Sequence, residues 1–397
     1  MTGPTDPLAL PPVPNAAPAS HPLRDFMLAL VFVVALASMG LGAFKTPARP
    51  ILEFENRART PWPNFTWDPA FTTAFERAFG DRFGARETML RLHHLALVYG
   101  FGVSPAPNVL LGRDNWLFFL GEDGRSIDRN YRGLLPVSDG ELAAVVTELR
   151  RRQQFLASRG IPFIVTIVPD KFTVYPEQLP AWMMKSDRPT PLDRLVRMIE
   201  ADGGIRFIDL RTPLAVAKTR SRVYYATDSH WNMLGAAVAY DAIMHEVQRA
   251  LPAGRLPAIA PANLPPYVPG VDVYSGDLAI NIGLPKRYRE ADLAPIIKIN
   301  AGAWPTCGKR IDSGADEGFE FYACDRPGLP RAVMYRDSMA IPLIPLMSEN
   351  FTRIVYVNAV RLDPDLILRE KPDVVIEEMV ERAMFGPAGF PMPEWPR

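Results

Sequence analysis

The sequence predicts an α/β fold in three layers, a mainly parallel sheet covered by helices on both faces. Three observations carry this reading. After Ser138, strand-like and helix-like patterns alternate repeatedly along the chain. The stretch "IPFIVTIV" is an unbroken apolar run of the kind that suits a parallel strand buried on both faces. The 397 residues are enough to bury a full core. No internal repeat of fixed period is visible.

The first ~23 residues are rich in Pro and Ala without an apolar period, which predicts a flexible tail over 1–25. Next comes "FMLALVFVVALASMGLGAF", Phe26 to Phe44, which lacks any charged residue. At about 1.5 Å per residue it nearly spans the ~30 Å hydrocarbon core, so a single transmembrane anchor over 26–44 is expected. A cleaved signal ending at "ALA", Ala35 to Ala37, is the competing reading. Lys45, Arg49, Arg57 and Arg59 come after the span and only Arg24 precedes it, so a positive-inside count opposes export of the C-terminal domain.

Phe71, Phe75, Phe79 and Phe83 recur at i+4 and predict one aromatic stripe along a helix, more characteristic of core than of a ligand platform. "VLLGRDNWLFFL" from Val109 predicts a hairpin turning at Gly-Arg-Asp-Asn. "DGELAAVVTELRRRQQFLASRG" predicts a helix capped by Asp139 and closed by Gly160. Next in order are the strand "IPFIVTIV", a helix in "PLDRLVRMIEADGG", the strand "IRFIDL", the strand-like "RVYYAT" and a long helix after Asn232. Pro252 to Gly328 interrupts this rhythm with Pro and Gly and reads as an insertion. Alternation resumes with "RAVMY", "RIVYVNAV", a short helix near Pro364 to Arg369, and "PDVVIEEM". The acids around Glu377 read as a solvated face.

Lys plus Arg and Asp plus Glu number 44 each, and no basic block is long, so a nucleic-acid partner is excluded. Only Cys307 and Cys324 occur. A close pair after an apolar N-terminal segment suits a disulfide in an oxidising compartment, with reduced buried thiols as the alternative. No third Cys or nearby His supports a zinc site.

The chemistry centres on "YYATDSHWNMLG", Tyr224 to Gly235. Asp228 and His230 precede a helix, where ligands gather in open parallel sheets. A carboxylate beside His230 orients the ring and stabilises its protonated form. The nucleophile to match is Ser338 in "RAVMYRDSMAIPL", directly after an apolar strand and at the start of a helix-compatible stretch. By spacing alone, simple N-cap roles for Asp228, Ser229, Asp337 or Ser338 compete with a triad. The G-x-S-x-G elbow is absent, as are the P-loop and Rossmann glycine patterns, so no cofactor is expected.

The pair "DSHW" and "RDS", in that order, resembles the SGNH hydrolase-like domain of the alginate O-acetylation proteins, the AlgJ/AlgX-like family. "ENR", "GRDNWLF", "PDKFTVYPEQLP", "SGDL" and "KPDVVIEEMVER" are similar to it too. The resemblance implies an SGNH hydrolase-like fold over 47–390, with an insertion at 252–328 and the motif order circularly permuted. It implies Ser338 as nucleophile, His230 as general base and Asp228 as the orienting acid. The implied reaction moves an acetyl group through acetyl-Ser338 to a hydroxyl of an exopolysaccharide. The implied partner is a membrane-bound O-acyltransferase that supplies acetyl groups, with the catalytic domain anchored at the bacterial inner membrane and facing the periplasm. A glycan acetyl esterase and a non-catalytic polysaccharide-binding scaffold are the alternatives. Beyond the triad, Tyr356 and Asn358 are candidate oxyanion donors, while Trp231, Lys171, Tyr175 and Arg336 are candidates for the sugar groove.

Overall fold

The computed structural model describes residues 22–42, 51–52, 57–84, 86–122, 126–183, 185–256, 273–291, 308–311, 319–359 and 361–384. The chain divides into two compact units, one of residues 1–52 and 57–90, the other of 53–56 and 91–397.

In the first unit, Asp68 accepts from Ala70 N at 2.6 Å and starts helix Pro69–Gly80, which Pro69 enters without losing a helical bond. Phe71, Phe75 and Phe79 succeed one another at 5.8 and 6.1 Å between ring centroids, as the i+4 spacing predicts. Most of the expected tail lies outside the described residues, and its last four residues open helix Pro22–Gly42. The expected transmembrane anchor is not supported: among the described residues no helix is long and apolar enough to cross a membrane. Helix Pro22–Gly42 carries Arg24 and Asp25 in its first turn. The single-pass inner-membrane placement is therefore withdrawn.

The second unit is an α/β fold built on a seven-stranded mixed sheet. Across the sheet run Arg206–Asp209, Phe163–Val168, Val374–Val380, Arg331–Tyr335, Arg353–Val357, Phe319–Ala323 and Lys309–Ile311. The first five are mutually parallel, and the last two add antiparallel pairs at one edge. Alternate residues feed two cores. Ile164, Met334, Ile354 and Ile376 point into one, and Val165, Val333, Val355 and Val375 into the other. Burial on both faces explains why these strands read as continuous apolar runs.

Several local expectations change. Helix Asp139–Ala157 is capped by Ser138, not Asp139, in a reciprocal capping box with Glu141. Part of the 252–328 segment is structural, since Lys309–Ile311 and Phe319–Ala323 extend the sheet. The acids near Glu377 are buried, not solvated: Glu377, Glu378 and Glu381 lie on or just after the central strand Val374–Val380. Arg152 offsets part of that burial by donating to Glu377 at 2.5 Å and to Glu148 at 3.0 Å. "RVYYAT" does not join the sheet and makes only an isolated bridge, Tyr224 to Trp231.

The hairpin does form, Val109–Leu111 against Leu117–Phe119. Asp114 and Asn115 both take positive φ, 51° and 63°, as the two central residues of a tight hairpin turn require. Trp116 N closes that turn on Arg113 O at 2.8 Å.

Candidate active site

The loop carrying Asp228 and His230 is irregular because side chains take the backbone groups a strand would have used. Lys171 Nζ donates to the carbonyls of Tyr225, Ala226 and Asp228 at 3.0, 3.2 and 2.5 Å. Glu290 accepts from the N–H groups of Ala226 and Thr227 at 3.0 and 2.8 Å, and from the Thr227 hydroxyl at 2.6 Å. The segment before helix Asp277–Asn281 presses against this loop at Gly276. A Cβ there would sit 2.4 Å from the Thr227 carbonyl and 2.5 Å from Asp228 Cβ, so only glycine permits the approach. Asn232 then caps helix Met233–Ala250 by accepting from Leu234 and Gly235 N–H at 3.0 and 3.1 Å, which removes Asp228 and Ser229 from the cap role.

Ser338 stands on the turn after the central strand Arg331–Tyr335 and is exposed. Asp337 pins that turn by accepting from Met339 N at 2.8 Å and from Val380 N at 2.6 Å. The next stretch is a 3₁₀ helix, Ser338–Leu343, containing Pro342, not the regular α-helix expected.

These two turns meet. His230 Nε2 lies 2.9 Å from Ser338 Oγ, and His230 Nδ1 lies 2.7 Å from Asp228 Oδ1. An ionised carboxylate accepts only, so Nδ1 carries the proton and Nε2 is left as the acceptor facing the serine hydroxyl. Asp228 Oδ1 also accepts from His230 N at 2.9 Å. Its other oxygen accepts from the Tyr274 hydroxyl at 2.5 Å and from Asp277 N at 2.9 Å. Burial on its own would raise the Asp228 carboxyl, but the bonds from His230, Tyr274 and Asp277 outweigh it and hold the group well below the usual carboxylate range. Burial and the bond to Asp228 push the Tyr274 hydroxyl up, so it stays protonated as a donor.

Asp277 is a second acid at the site. It accepts from Ser229 N at 2.7 Å and from the Ser229 hydroxyl at 2.5 Å, and its Oδ2 is 3.7 Å from His230 Nδ1. Asp228, His230 and Asp277 bring metal-ligand-type atoms within 4.8 Å of one another. Hydrogen bonds already use both nitrogens of His230, an arrangement suited to moving a proton from Ser338.

The sugar-groove candidates take other places. Trp231 is fully buried and donates through Nε1 to Met339 O at 2.7 Å, tying the His230 loop to the Ser338 turn. Tyr175 is buried against Trp116, and its hydroxyl accepts from Val223 N at 2.9 Å. Arg336 is buried and pairs with Glu320. Lys171 is buried as the carbonyl clamp just described. Sequence assigns long polar side chains to solvent because it does not show the backbone acceptors waiting inside. Tyr356 is fully buried, with its hydroxyl against Ser348 Oγ and Ile344 O. Asn358 is exposed at the carboxyl end of strand Arg353–Val357, beside the Arg331–Tyr335 strand that leads to Ser338. Cys324 is buried, and Cys307 lies outside the described residues.

Burial drives the Lys171 ammonium down to about 7, against the opposing pull of Asp228, Glu290 and Asp277. An unfolded lysine titrates near about 10.4. Between about 7 and about 10.4 the unfolded chain therefore holds the extra proton, and stability rises with pH across that window. Relative to Lys171→Met, the wild type gains stability in urea titrations on going from about pH 7 to about pH 10. A pH-independent difference would contradict the clamp.

Sequence reasoning missed Tyr274, Asp277 and Glu290, and while it offered Asp337 as an N-cap, which the bond from Met339 N bears out, it missed the bond from Val380 N. The one signal present was "SGDL", Ser275 to Leu278, whose glycine and acid both reach the site.

Comparison with known proteins agrees with the family resemblance. Residues 109–291 match the family model described as "SGNH hydrolase-like domain, acetyltransferase AlgX". "Probable alginate O-acetylase AlgJ" of Azotobacter vinelandii is 27% identical over 223 residues, 55% of this chain and 52% of that protein. The protein of the same description from Pseudomonas putida is 32% identical over 149 residues, 36% of this chain and 34% of its own length. The chain thus spans about half the length, or less, of these curated relatives. Among solved structures, the O-acetyltransferase domain of Pseudomonas putida AlgJ is 20% identical with a TM-score of 0.43, covering 70% of this chain and 92% of that one. Bacillus cereus PatB1 is 16% identical with a TM-score of 0.48, covering 72% and 99%.

Proposed function

We propose, for a chain that carries an AlgX-type SGNH hydrolase-like domain over residues 109–291, an O-acetyltransferase that acetylates hydroxyls of a polysaccharide. The observation that carries this reading is the contact line Asp228–His230–Ser338, at 2.7 and 2.9 Å, with the serine exposed and the acid buried. The AlgJ names of the curated relatives support acetyl as the group moved and a polysaccharide as acceptor.

His230 Nε2 takes the Ser338 proton as Oγ attacks the acetyl carbonyl, and Asp228 stabilises the imidazolium. The tetrahedral oxyanion is met by the Ser338 N–H and by the Asn358 side chain from the adjacent turn. His230 then returns the proton to the leaving group. In the second half, His230 deprotonates a sugar hydroxyl, which attacks acetyl-Ser338; the Oγ–acetyl bond breaks, His230 returns the proton to Ser338 Oγ, and the acetylated sugar leaves. The acetyl donor comes, in this reading, from a separate membrane-bound O-acyltransferase.

The test supplies an activated acetyl ester to the full chain with and without an oligosaccharide. A transferase yields acetylated sugar at the expense of free acetate. Acetate release indifferent to the sugar identifies an esterase, and no turnover with intact glycan binding identifies a scaffold.

A further inference from the structure

Along the hairpin that bonds to the Asp228–His230 loop runs an open groove of about 580 Å³. None of the fifteen described residues that line it is charged, although the chain carries 88 charged side chains, 44 of each sign. Two of its walls are large aromatic rings left in solvent, Tyr99 at 59% and Trp182 at 65% exposure. Their display is not incidental to the backbone. Tyr99 sits on a π-helical turn, Ala96–Phe101, a rare conformation concentrated at functional sites. Gly102 ends that turn with φ at 64°, and nothing would lie within 4 Å of a Cβ there, so the groove is open at this point.

The groove is tied to the triad loop from two sides. Its strand Val109–Leu111 pairs with Leu117–Phe119, whose Leu117 N donates to Ala226 O at 2.8 Å. Tyr288, in its floor, is two residues before Glu290, the acid that holds Ala226 and Thr227. Burial, with a smaller effect from Tyr99, pushes the Tyr288 hydroxyl up to about 12, so it keeps its proton as a donor. Asn115, at the hairpin turn, adds an amide.

We infer that this groove binds the acceptor, and that the acceptor segment it takes is an uncharged sugar chain. Pyranose rings have apolar C–H faces and hydroxyl edges. Aromatic faces cover the former, and the Tyr288 hydroxyl and Asn115 amide meet the latter. A uronate chain would bring one carboxylate per residue into a groove whose described lining offers no cation to receive it, leaving charge partly desolvated and unpaired. The inference rests on the acetyltransferase reading and narrows its acceptor class.

The experiment uses the full chain, an uncharged β-linked glucose hexamer and a mannuronate hexamer as probes, read by calorimetry and by acceptor kinetics. The glucose hexamer is expected to bind more tightly than the uronate. Tyr99→Ala with Trp182→Ala should weaken its binding and raise its KM by about tenfold or more, since the stacking faces are removed. Tyr99→Phe with Trp182→Phe should restore most of that loss, and the rate of acetyl-Ser338 formation from an activated ester should not change in either variant. Tighter binding of the uronate, binding indifferent to the alanine pair, or occupation by an apolar peptide in place of sugar would each overturn the inference. Acetyl-enzyme formation is measured without sugar, so its absence counts against the acetyltransferase and leaves the binding result to be judged on its own.

Discussion

Ser338→Ala is expected to lower acetyl transfer by about 10⁴-fold or more while leaving the thermal midpoint nearly unchanged. The large kinetic loss comes from covalent catalysis: without Oγ no acetyl-enzyme forms, and only positioning and oxyanion stabilisation remain. The small thermal effect comes from exposure. Ser338 projects from the turn, and its described side-chain hydrogen bond goes to His230. The turn itself is held by Asp337, through Met339 N and Val380 N, and by Trp231 through Met339 O. Steady-state rates with an activated ester and a melting curve on the same preparation check both halves. A variant that keeps a tenth of the wild-type rate would move the nucleophile elsewhere.

Asp228→Asn is expected to lower the rate by roughly 10³- to 10⁴-fold and, unlike the serine change, to destabilise the fold by about 1–3 kcal/mol. The carboxylate accepts from four donors: His230 N, His230 Nδ1, the Tyr274 hydroxyl and Asp277 N. An amide retains one accepting oxygen and presents an N–H₂ to donors on its other side. Placed toward His230, that N–H₂ favours the tautomer with the proton on Nε2, where it cannot take one from Ser338. Placed toward Tyr274 and Asp277 N, it leaves buried donors unpaired. Denaturant titration and kcat measured together separate this from a purely catalytic loss. Tyr274→Phe serves as the contrast, removing one donor while His230 keeps its tautomer, so its kinetic cost should be far smaller.

The parts of this architecture that sequence reveals are those with a one-dimensional signature. Phe163–Val168 and Val374–Val380 are central parallel strands, and burial on both faces writes them as apolar runs. Asp114 and Asn115 adopt the positive φ that marks the hairpin. The Asp228–His230–Ser338 contact line is legible because each residue lies next to an element at the ligand end of the sheet, and their order matches a known pattern.

The hidden parts depend on partners far away in sequence. Lys171 reads as a sugar-groove residue and Glu377 as part of a solvated face because nothing nearby announces the carbonyls of Tyr225, Ala226 and Asp228, or the guanidinium of Arg152. Tyr274, Asp277 and Glu290 come from a Pro- and Gly-rich stretch with no periodicity, so only three-dimensional proximity to Thr227 and Asp228 gives them meaning. The run after Arg24 meets the length criterion for a membrane span, yet among the described residues no helix is long and apolar enough to cross one.

The most direct test of the central claim is intact mass of the full chain after brief exposure to an activated acetyl ester, with Ser338→Ala and His230→Ala treated in parallel. The account predicts one added acetyl group on the wild type, located on Ser338 by peptide mapping, none on the serine variant, and loss of the label when oligosaccharide is added. An unlabelled wild type that also releases no acetate, or equal labelling of Ser338→Ala, would contradict it.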